Sequence, residues 1–347
     1  MIKLKKITIK KPDDWHVHFR SGKILKEIVK YTSDIYQRAM IMPNLRIPIT
    51  TIQFGKNYKK NIVNVLKKGS TFQPFITCYL TENTNPNDIE YAFYNKIFFA
   101  AKLYLKNSTN CSKQGIININ SINHVLERMQ KIGMPLLIHG EIVDKNIDIF
   151  DREKIFIDTI LVKLHKNFPE LKIVLEHIST KESVDYIKST NKNLGATITP
   201  HHLLYNRSDM LSKGIKPHLY CLPILKSKIH QSALKTVITS GNKKFFLGTD
   251  SAPHYSYKKE NHCGAAGIFN ALSSLSIYTE IFENMNALNH LESFCSKNGA
   301  LFYSLPENKD TITLVKKKWK VPKKIFIGKK FIIPFLAGKI MKWSINN

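Results

Sequence analysis

Short apolar runs alternate with stretches of helical spacing along most of the chain. Eight runs are rich in hydrophobic residues and end in polar or small ones: ITIKKPDDWHVHF, RAMIMPN, FQPFITCYL, FFAAKLYL, PLLIHGE, KIVLEHIS, LGATITPHHL and KKFFLGTDSAP. Helical spacing separates most of them, as in INSINHVLERMQKIG before the fifth run and DREKIFIDTILVKLHKNF before the sixth. A strand and a helix together take about 30 residues, the size of a βα repeat. The pattern predicts an α/β protein with a (β/α)8 barrel.

An open doubly wound sheet is the alternative arrangement of the same elements. Eight strand–helix units in about 250 residues favour the closed barrel over this sheet. No G-x-G-x-x-G motif follows the first run, which further weakens a dinucleotide-binding alternative. The sequence has no internal repeat and no low-complexity linker. We therefore predict one barrel domain over residues 1–347, with the segment from about 305 to 347 packing on its outside.

Composition indicates the solubility of the protein and its cellular compartment. The chain has 347 residues, of which 43% are hydrophobic and 23% are charged, as in globular proteins. The amino-terminal stretch MIKLKKITIKKP alternates apolar and basic residues, unlike a signal peptide, and the apolar runs are too short or too interrupted to cross a membrane. Five scattered cysteines without a C-x-x-C pair indicate reduced thiols. A soluble, cytoplasmic protein without a membrane partner is predicted.

The formal net charge of +27 invites a nucleic-acid-binding interpretation. However, the 53 Lys and Arg residues are spread over the whole chain, most of them are Lys, and no recognition motif or basic arm stands out. Charge alone speaks to solubility and non-specific association. We predict no nucleic-acid partner, and a basic nucleic-acid-binding protein on a barrel scaffold remains the alternative from a different class.

Unusual polar residues fall near the carboxyl ends of the runs, where barrels of this type carry their active sites. These residues are His16, His18, Asn44, Lys102, His139, His177 and Asp250. His16, His18 and Arg20 occupy alternate positions, so in a strand they would project from one face. Imidazoles suit a metal ion and a guanidinium suits a carboxylate.

The residue types define the chemistry of such a site. Four imidazoles and one carboxylate could hold a borderline metal such as zinc with one position open for water. Lys102 would be repelled by the metal as an ammonium, but its carbamate, formed with carbon dioxide, would offer two oxygens to bridge two ions. A hydroxide bridging those ions would be a nucleophile at neutral pH. Asp250 could take its proton and pass it to a leaving nitrogen.

Each residue also has a plainer structural interpretation. The H-x-H stretch could be the polar face of an edge strand, Lys102 an edge residue with an exposed amine, and Asp250 a helix cap. Four further histidines on predicted helices are interpreted as structural or surface residues: His124, His165, His230 and His290. These separate explanations do not account for potential ligands at five of eight strand ends, and the combination therefore favours a metal site.

With these residues, the chain resembles the dihydroorotases of the bacterial class II type, within the amidohydrolase superfamily, over nearly its whole length. The stretches that carry the resemblance are KPDDWHVHFR, MPNL, TCYLT, AAKLY, IGMPLLIHGE, NIDIFDRE, LEHI, ATITPHHL, PHLYCLPILK, FLGTDSAPH, CGAAG and PFLAG. H-x-H alone is weak evidence, whereas the full set in this order is highly specific.

The resemblance implies reversible conversion of (S)-dihydroorotate and water to N-carbamoyl-L-aspartate in pyrimidine (UMP) synthesis. It implies two Zn²⁺ ions per subunit: His16, His18, N6-carboxylated Lys102 and Asp250 would hold one, and Lys102, His139 and His177 the other. Asp250 would be the catalytic general acid/base. The implied substrate-binding residues are His18, Arg20, Asn44, Thr109, His139, Leu222, His254 and Ala266, with Leu222 and Ala266 acting through main-chain groups. A homodimer is also implied.

Two positions depart from the family pattern. Thr109 is followed by Asn110 where the family's mobile lid carries adjacent threonines, which would affect turnover more than metal binding. His201 replaces a usual Gln and leaves open whether it reaches a metal or only packs, and His202 is expected behind the metal ligands. The main functional alternative is another cyclic amidase, such as a hydantoinase or an allantoinase. An anion clamp of Arg20, Asn44 and His254 favours the negatively charged substrate over a neutral one.

Overall fold

The computed structural model describes residues 5–109, 112–190 and 192–346, and its centre is a sheet of eight parallel strands. The strands of this sheet are β2 (Asp13–Val17), β3 (Arg38–Ile41), β4 (Gln73–Tyr79), β5 (Ala100–Leu103), β6 (Leu136–Ile138), β7 (Ile173–Leu175), β8 (Leu194–Ile198) and β9 (Phe245–Leu247). They pair in sequence order. The sheet closes where Val17 bridges Ser251 and the N–H of Asp250 donates to the carbonyl of His16 over 2.9 Å. The predicted (β/α)8 barrel is confirmed.

Helices connect the strands, and the longer ones pack on the outer face of the barrel. They are α1 (Gly22–Ser33), α2 (Ile52–Val63), α3 (Pro86–Tyr94), α4 (Asn123–Ile132), α5 (Arg152–Phe156), α6 (Val162–Asn167), α7 (Lys181–Ser189), α8 (Pro200–Leu204), α9 (Arg207–Leu211), α10 (Lys228–Thr239), α11 (Ser256–Lys259), α12 (Ser274–Asn284) and α13 (Asn298–Phe302). A π-helical turn, Ile157–Leu161, joins α5 and α6. Helix α1 shows why they pack: Leu25, Ile28, Val29 and Thr32 form one buried stripe.

Strand side chains alternate between two hydrophobic clusters. Ala101, Leu136 and Leu175 belong to a large cluster shared with the helices. Ala100, Leu137, Val174 and Phe246 belong, with Trp15 and Tyr303, to a smaller one. Because neighbouring residues of a strand point to opposite faces, we assign the smaller cluster to the barrel interior. Both faces of the strands are thus buried, which explains why they read as continuous apolar runs.

The first predicted run is divided in the structure, which corrects its treatment as one strand. Residues Lys6–Lys10 form β1, which pairs antiparallel with β10 (Thr311–Val315) outside the barrel, and only Asp13–Val17 enters the barrel. Pro12 lies between them and has no N–H to donate to a neighbouring strand, so a continuous ladder ends there.

The carboxyl-terminal segment builds small antiparallel sheets apart from the barrel strands. Its further strands are β11 (Trp319–Lys320), β12 (Ile325–Ile327), β13 (Lys330–Ile332), β14 (Ile340–Met341) and β15 (Ser344–Asn346). β15 extends the β1–β10 pair, β11 pairs with β14, and β12 pairs with β13. Trp343 Nε1 donates to Glu283 Oε2 over 3.0 Å and thereby ties the segment to α12. Within the described part of the chain, every helix is too short or too polar to cross a lipid bilayer.

Candidate metal centre and active site

The candidate ligands extend the inner face of the barrel strands toward their carboxyl ends. Lys102 is two residues beyond Ala100 and His139 two beyond Leu137, so both share the inward direction of those cluster residues. The strands below are packed with hydrophobic side chains, whereas this end carries imidazole, amine and carboxyl groups. The fold therefore places these polar side chains in one layer above the hydrophobic interior of the barrel.

Three predicted ligand atoms converge at the junction of β2 and the residues after β9. His16 Nε2 and His18 Nε2 are 3.2 Å apart, and Asp250 Oδ1 lies 3.3 Å from the first and 3.0 Å from the second. Burial lowers the pKa of His18 to about 3 and also lowers the pKa of His16, so both imidazoles are neutral. Burial opposes ionisation of Asp250, but its contacts with both histidines hold the pKa of its carboxyl well below the usual range. Neutral imidazoles and an ionised carboxylate are the forms that bind a metal.

A second pair of imidazoles faces the same space. His139 Nδ1 lies 3.2 Å from His177 Nε2, and both residues are buried. His139 Nε2 is 2.8 Å from Glu141 Oε2. Donation of the Nε2 proton to this carboxylate leaves the Nδ1 lone pair of His139 directed at His177, an arrangement common among metal-binding histidines.

Lys102 lies below these histidines and is completely buried. Its Nζ contacts Glu176 Oε2, and the other oxygen of Glu176 lies 3.0 Å from His16 Nδ1. Burial lowers the pKa of Lys102 well below its ordinary 10.5. The unprotonated amine favoured by burial is the form that can react with carbon dioxide.

Local backbone geometry at the site is unusual. Arg20, His177 and Asp250 have φ values of 58°, 42° and 45°, in the left-handed region that residues with a Cβ seldom adopt. Such strain persists only where the surrounding structure enforces it, and it clusters at functional sites. At His177 and Asp250 the backbone departs from the strand conformation where the side chains turn toward the site.

Asp14 joins the first and last strands beneath the candidate ligands. Its carboxylate accepts hydrogen bonds from the N–H of His16 (3.2 Å), the N–H of Thr249 (2.9 Å) and Thr249 Oγ1 (2.6 Å). A Cβ at Gly248 would come within 2.6 Å of the Thr197 side chain, so this close approach requires glycine. The positions of His16 and Asp250 are thus tied to each other through Asp14.

The predicted substrate-binding residues line one open cavity above the ligands. Its lining includes His16, His18, Arg20, Asn44, Thr109, His139, His177, Leu222, Asp250, His254 and Ala266. Lys102 contributes from below through its contact with Glu176. All predicted site residues therefore gather at one end of the barrel.

Arg20 and His254 form the cationic side of this cavity. Arg20 Nη2 lies 3.0 Å from His254 Nε2, and Arg20 Nε donates to the carbonyl of Pro253 over 3.2 Å. Burial and the Arg20 charge hold the pKa of His254 well below its usual value, so the positive charge resides on the guanidinium. Asn44 is also buried and lines the cavity.

The remaining predictions have mixed outcomes. Asn110 lies outside the described residues. His202 bonds to Thr199 Oγ1 (2.7 Å) and to the carbonyl of Pro223 (2.9 Å), and so supports the segment that carries Leu222. His201 is buried 3.2 Å from Asn270 Nδ2 and lies near His202 and Cys221. His124 is exposed, whereas His165, His230 and His290 are partly buried.

Glu141 and Glu176 were not singled out from the sequence. Glu176 follows Val174 by two positions, so strand alternation alone would have directed it into the barrel with Lys102 and His139. Glu141 lies in the loop after β6, where no periodic pattern indicates its direction. Its contact with His139 became evident only in the folded structure.

The donor set fits metal ions. His16, His18 and Asp250 form one buried group with ligand atoms close together, and His16, Glu176 and His177 form another. The ring nitrogens of His16 and His18 face each other at 3.2 Å, as do those of His139 and His177. Burial lowers the pKa of His16, His18 and His177, so these imidazoles are neutral and each has a lone pair that can bind a cation. Nitrogen and carboxylate donors match the preferences of zinc and related divalent metals.

Comparison with known proteins agrees with this architecture. Residues 13–340 match the model of the amidohydrolase family. The dihydroorotase of Buchnera aphidicola subsp. Schizaphis graminum (strain Sg) is 57% identical over 344 residues, which cover 99% of both chains. The crystal structure of dihydroorotase from Campylobacter jejuni has a TM-score of 0.92 at 33% identity and covers 100% of this chain and 99% of its own.

A second solved structure, dihydroorotase from Saccharomyces cerevisiae in complex with 5-fluoroorotic acid, has a TM-score of 0.92 at 30% identity and covers 99% of both chains. The chain belongs to the amidohydrolase family, and within it to the dihydroorotases, hydrolases that act on a cyclic amide C–N bond. The family resemblance inferred from the sequence motifs is confirmed.

Proposed function

We propose that this enzyme reversibly converts (S)-dihydroorotate and water to N-carbamoyl-L-aspartate in the synthesis of pyrimidines (UMP), with two zinc ions at the barrel end. The observation that carries the proposal is the presence, in one cavity, of the His16–His18–Asp250 group and the Arg20 guanidinium. The histidine–aspartate group suits a metal ion that activates water, and the Arg20 guanidinium suits a substrate carboxylate. The solved yeast relative that binds 5-fluoroorotic acid, a carboxylated pyrimidine, supports the same substrate class.

The proposed ligand set is the one that the family resemblance implies, and the grouping of His16, His18 and Asp250 supports it. His16, His18 and Asp250 would hold one zinc ion, and His139 and His177 the other, with N6-carboxylated Lys102 between them. Burial of Lys102 supports this modification, since it favours the unprotonated amine. Zinc bound there would lower the pKa of a coordinated water to about 7 and so supply the nucleophile for hydrolysis.

Other residues of the cavity would bind and orient the substrate. Arg20, with Asn44 and His254, would hold the substrate carboxylate, and Leu222 and Ala266 would meet the ring through main-chain groups. His18, His139 and Thr109 line the cavity where they would contact the bound ring. Together these contacts orient the ring carbonyl toward the metal ligands.

Asp250 is the proposed catalytic general acid/base. Water adds to the ring carbonyl carbon, and Asp250 accepts one of its two protons at its carboxylate and passes that proton to the ring nitrogen as the C–N bond breaks. The second water proton is released to solvent, which leaves the new acid group ionised. The products of this bond cleavage are the new carboxylate and the carbamoyl group. The carboxyl of Asp250 is suited to the first step because its low pKa keeps it ionised before the reaction.

The alternative activity is that of a hydantoinase or allantoinase, whose cyclic substrates lack the carboxylate. Dihydroorotate and 5,6-dihydrouracil share one ring and differ in this group, so their hydrolysis by the zinc-loaded enzyme separates the two activities. We expect efficient turnover of dihydroorotate and weak turnover of dihydrouracil. Equal or reversed preference would reject the proposed substrate.

We further propose that the enzyme is a cytoplasmic homodimer without a nucleic-acid partner. The free thiols of Cys78, Cys221, Cys263 and Cys295 support a reducing compartment. Sedimentation of the purified protein tests the dimer, and a DNA retardation assay at physiological ionic strength tests the absence of nucleic-acid binding.

A further inference from the structure

Lys259 is a buried lysine at the end of α11, and its amine joins two loop segments. The residue is only 4% exposed. Its Nζ donates hydrogen bonds to the carbonyls of Tyr220 (2.9 Å), Ala265 (2.9 Å) and Gly267 (2.6 Å). An ammonium group has three protons, and here each has a main-chain acceptor.

The three carbonyls flank main-chain segments that line the proposed substrate cavity. Tyr220 is two residues before Leu222, and Ala265 and Gly267 enclose Ala266. Leu222, Ala266 and Gly267 all belong to the cavity wall. One side chain therefore fixes both stretches of backbone that face the bound ring.

These segments have little freedom once Lys259 is in place. The N–H of Gly267 donates to the carbonyl of Tyr220 over 3.0 Å, which joins the two segments directly. Gly267 has a φ of 140°, and a Cβ there would lie 2.9 Å from the carbonyl oxygen of Ala252 and 3.0 Å from His254 Cδ2. The backbone at Gly267, the residue after Ala266, is thus packed closely against the loop that carries His254.

Burial of this amine costs free energy, because the charged group loses its hydration. It lowers the pKa of Lys259 to about 8, and the nearby Arg20 cation acts in the same direction. A buried charged group persists when hydrogen bonds compensate for its lost hydration. Here all compensating acceptors lie on the two cavity-lining segments.

We propose that Lys259 is a positioning residue that fixes the main-chain groups of Leu222 and Ala266 for recognition of the substrate ring. The proposal rests on the function proposed above and extends it from the carboxylate clamp to the ring. It assigns Lys259 to the backbone around the ring, whereas Arg20 acts directly on the anion.

The test compares Lys259→Met with Lys258→Met, which removes the exposed neighbouring lysine. Turnover of dihydroorotate by the unaltered enzyme is measured first, so that failure of the proposed function is recognised independently. For Lys259→Met we expect a KM about tenfold higher, from weakened ring hydrogen bonds, with kcat less affected and two zinc ions retained. Lys258→Met should leave both constants unchanged.

Dihydrouracil provides a second readout. Lys259→Met should weaken kcat/KM for dihydrouracil by the same factor as for dihydroorotate, because both share the ring. Should the methionine variant not fold, Lys259→Gln, which keeps two N–H donors, replaces it and should raise KM less. A folded, zinc-loaded variant with unchanged KM, a loss confined to kcat, or failure of both variants to fold would overturn the proposal in favour of a purely structural lysine.

Discussion

Glu141 Oε2 lies 2.8 Å from His139 Nε2, and this contact determines which nitrogen of His139 is available to a metal. With Nε2 donating to the carboxylate, Nδ1 is the acceptor and faces His177 Nε2 at 3.2 Å. Glu141 is buried, so its charge also makes the imidazole a stronger donor to a cation. The second metal position therefore depends on a residue that would not itself bind the ion.

Glu141→Gln should lower zinc affinity by about 10- to 100-fold, since it removes the charge that orients His139. The affinity is measured by competition with a chromogenic chelator. Glu127→Gln on the exposed face of α4 is the control and should not change it. Equal affinity in the two variants would show that Glu141 has no role in holding the ion.

Lys102→Ala should remove the bridge between the metal positions and with it most turnover. A short carboxylate such as propionate offers the same two oxygens as a carbamate, so its addition should restore part of the zinc content and activity. Lys106→Ala, in the exposed loop after β5, is the control and should keep its zinc content and activity without propionate. Full zinc content and activity in Lys102→Ala without propionate would contradict the proposed carbamate.

Arg20→Met should retain two zinc ions and lose about 10- to 100-fold in kcat/KM for dihydroorotate, because a hydrogen bond to a charged group contributes about 1.5–3 kcal/mol. Hydrolysis of dihydrouracil should change little, since it has no carboxylate. Parallel kinetics with both substrates measure the difference. An equal loss on both substrates would assign Arg20 to loop structure instead of anion binding.

Asp14 should make the free energy of unfolding decrease as the pH rises from about 4 to about 7. Burial raises the pKa of Asp14 from 3.8 to about 7, so in this range the folded chain retains a proton that the unfolded chain has released. Asp14→Asn should remove this dependence, which amounts to a few kcal/mol on the order-of-magnitude scale of such shifts. Urea unfolding of chelated protein at pH 4.5 and pH 7 would measure it, with the exposed Asp158→Asn as control. An unchanged pH slope in Asp14→Asn would contradict this explanation.

The barrel could be predicted because its strands are buried on both faces and therefore read as apolar runs. The site could be predicted because His16, His18, Lys102, His139 and Asp250 are polar exceptions near the ends of those runs. The division at Pro12 was not foreseen, since the apolar residues on both sides suggested one strand, whereas β1 pairs with a strand about 300 residues away in sequence.

Residues that act through other residues were harder to predict. Lys258 and Lys259 are indistinguishable in the stretch YSYKKE, and only the folded backbone makes one exposed and the other buried. Glu141 likewise has no periodicity to mark its direction. Burial of such residues depends on contacts between distant loops, which a local pattern does not encode.

Hydrolysis of dihydroorotate by the purified enzyme, loaded with zinc and bicarbonate and then treated with a chelator, tests the central claim most directly. We predict ring opening that disappears on chelation and returns when zinc is restored. Hydrolysis that is unaffected by complete removal of the metal would contradict the proposed mechanism, and no hydrolysis with two zinc ions bound would contradict the proposed substrate.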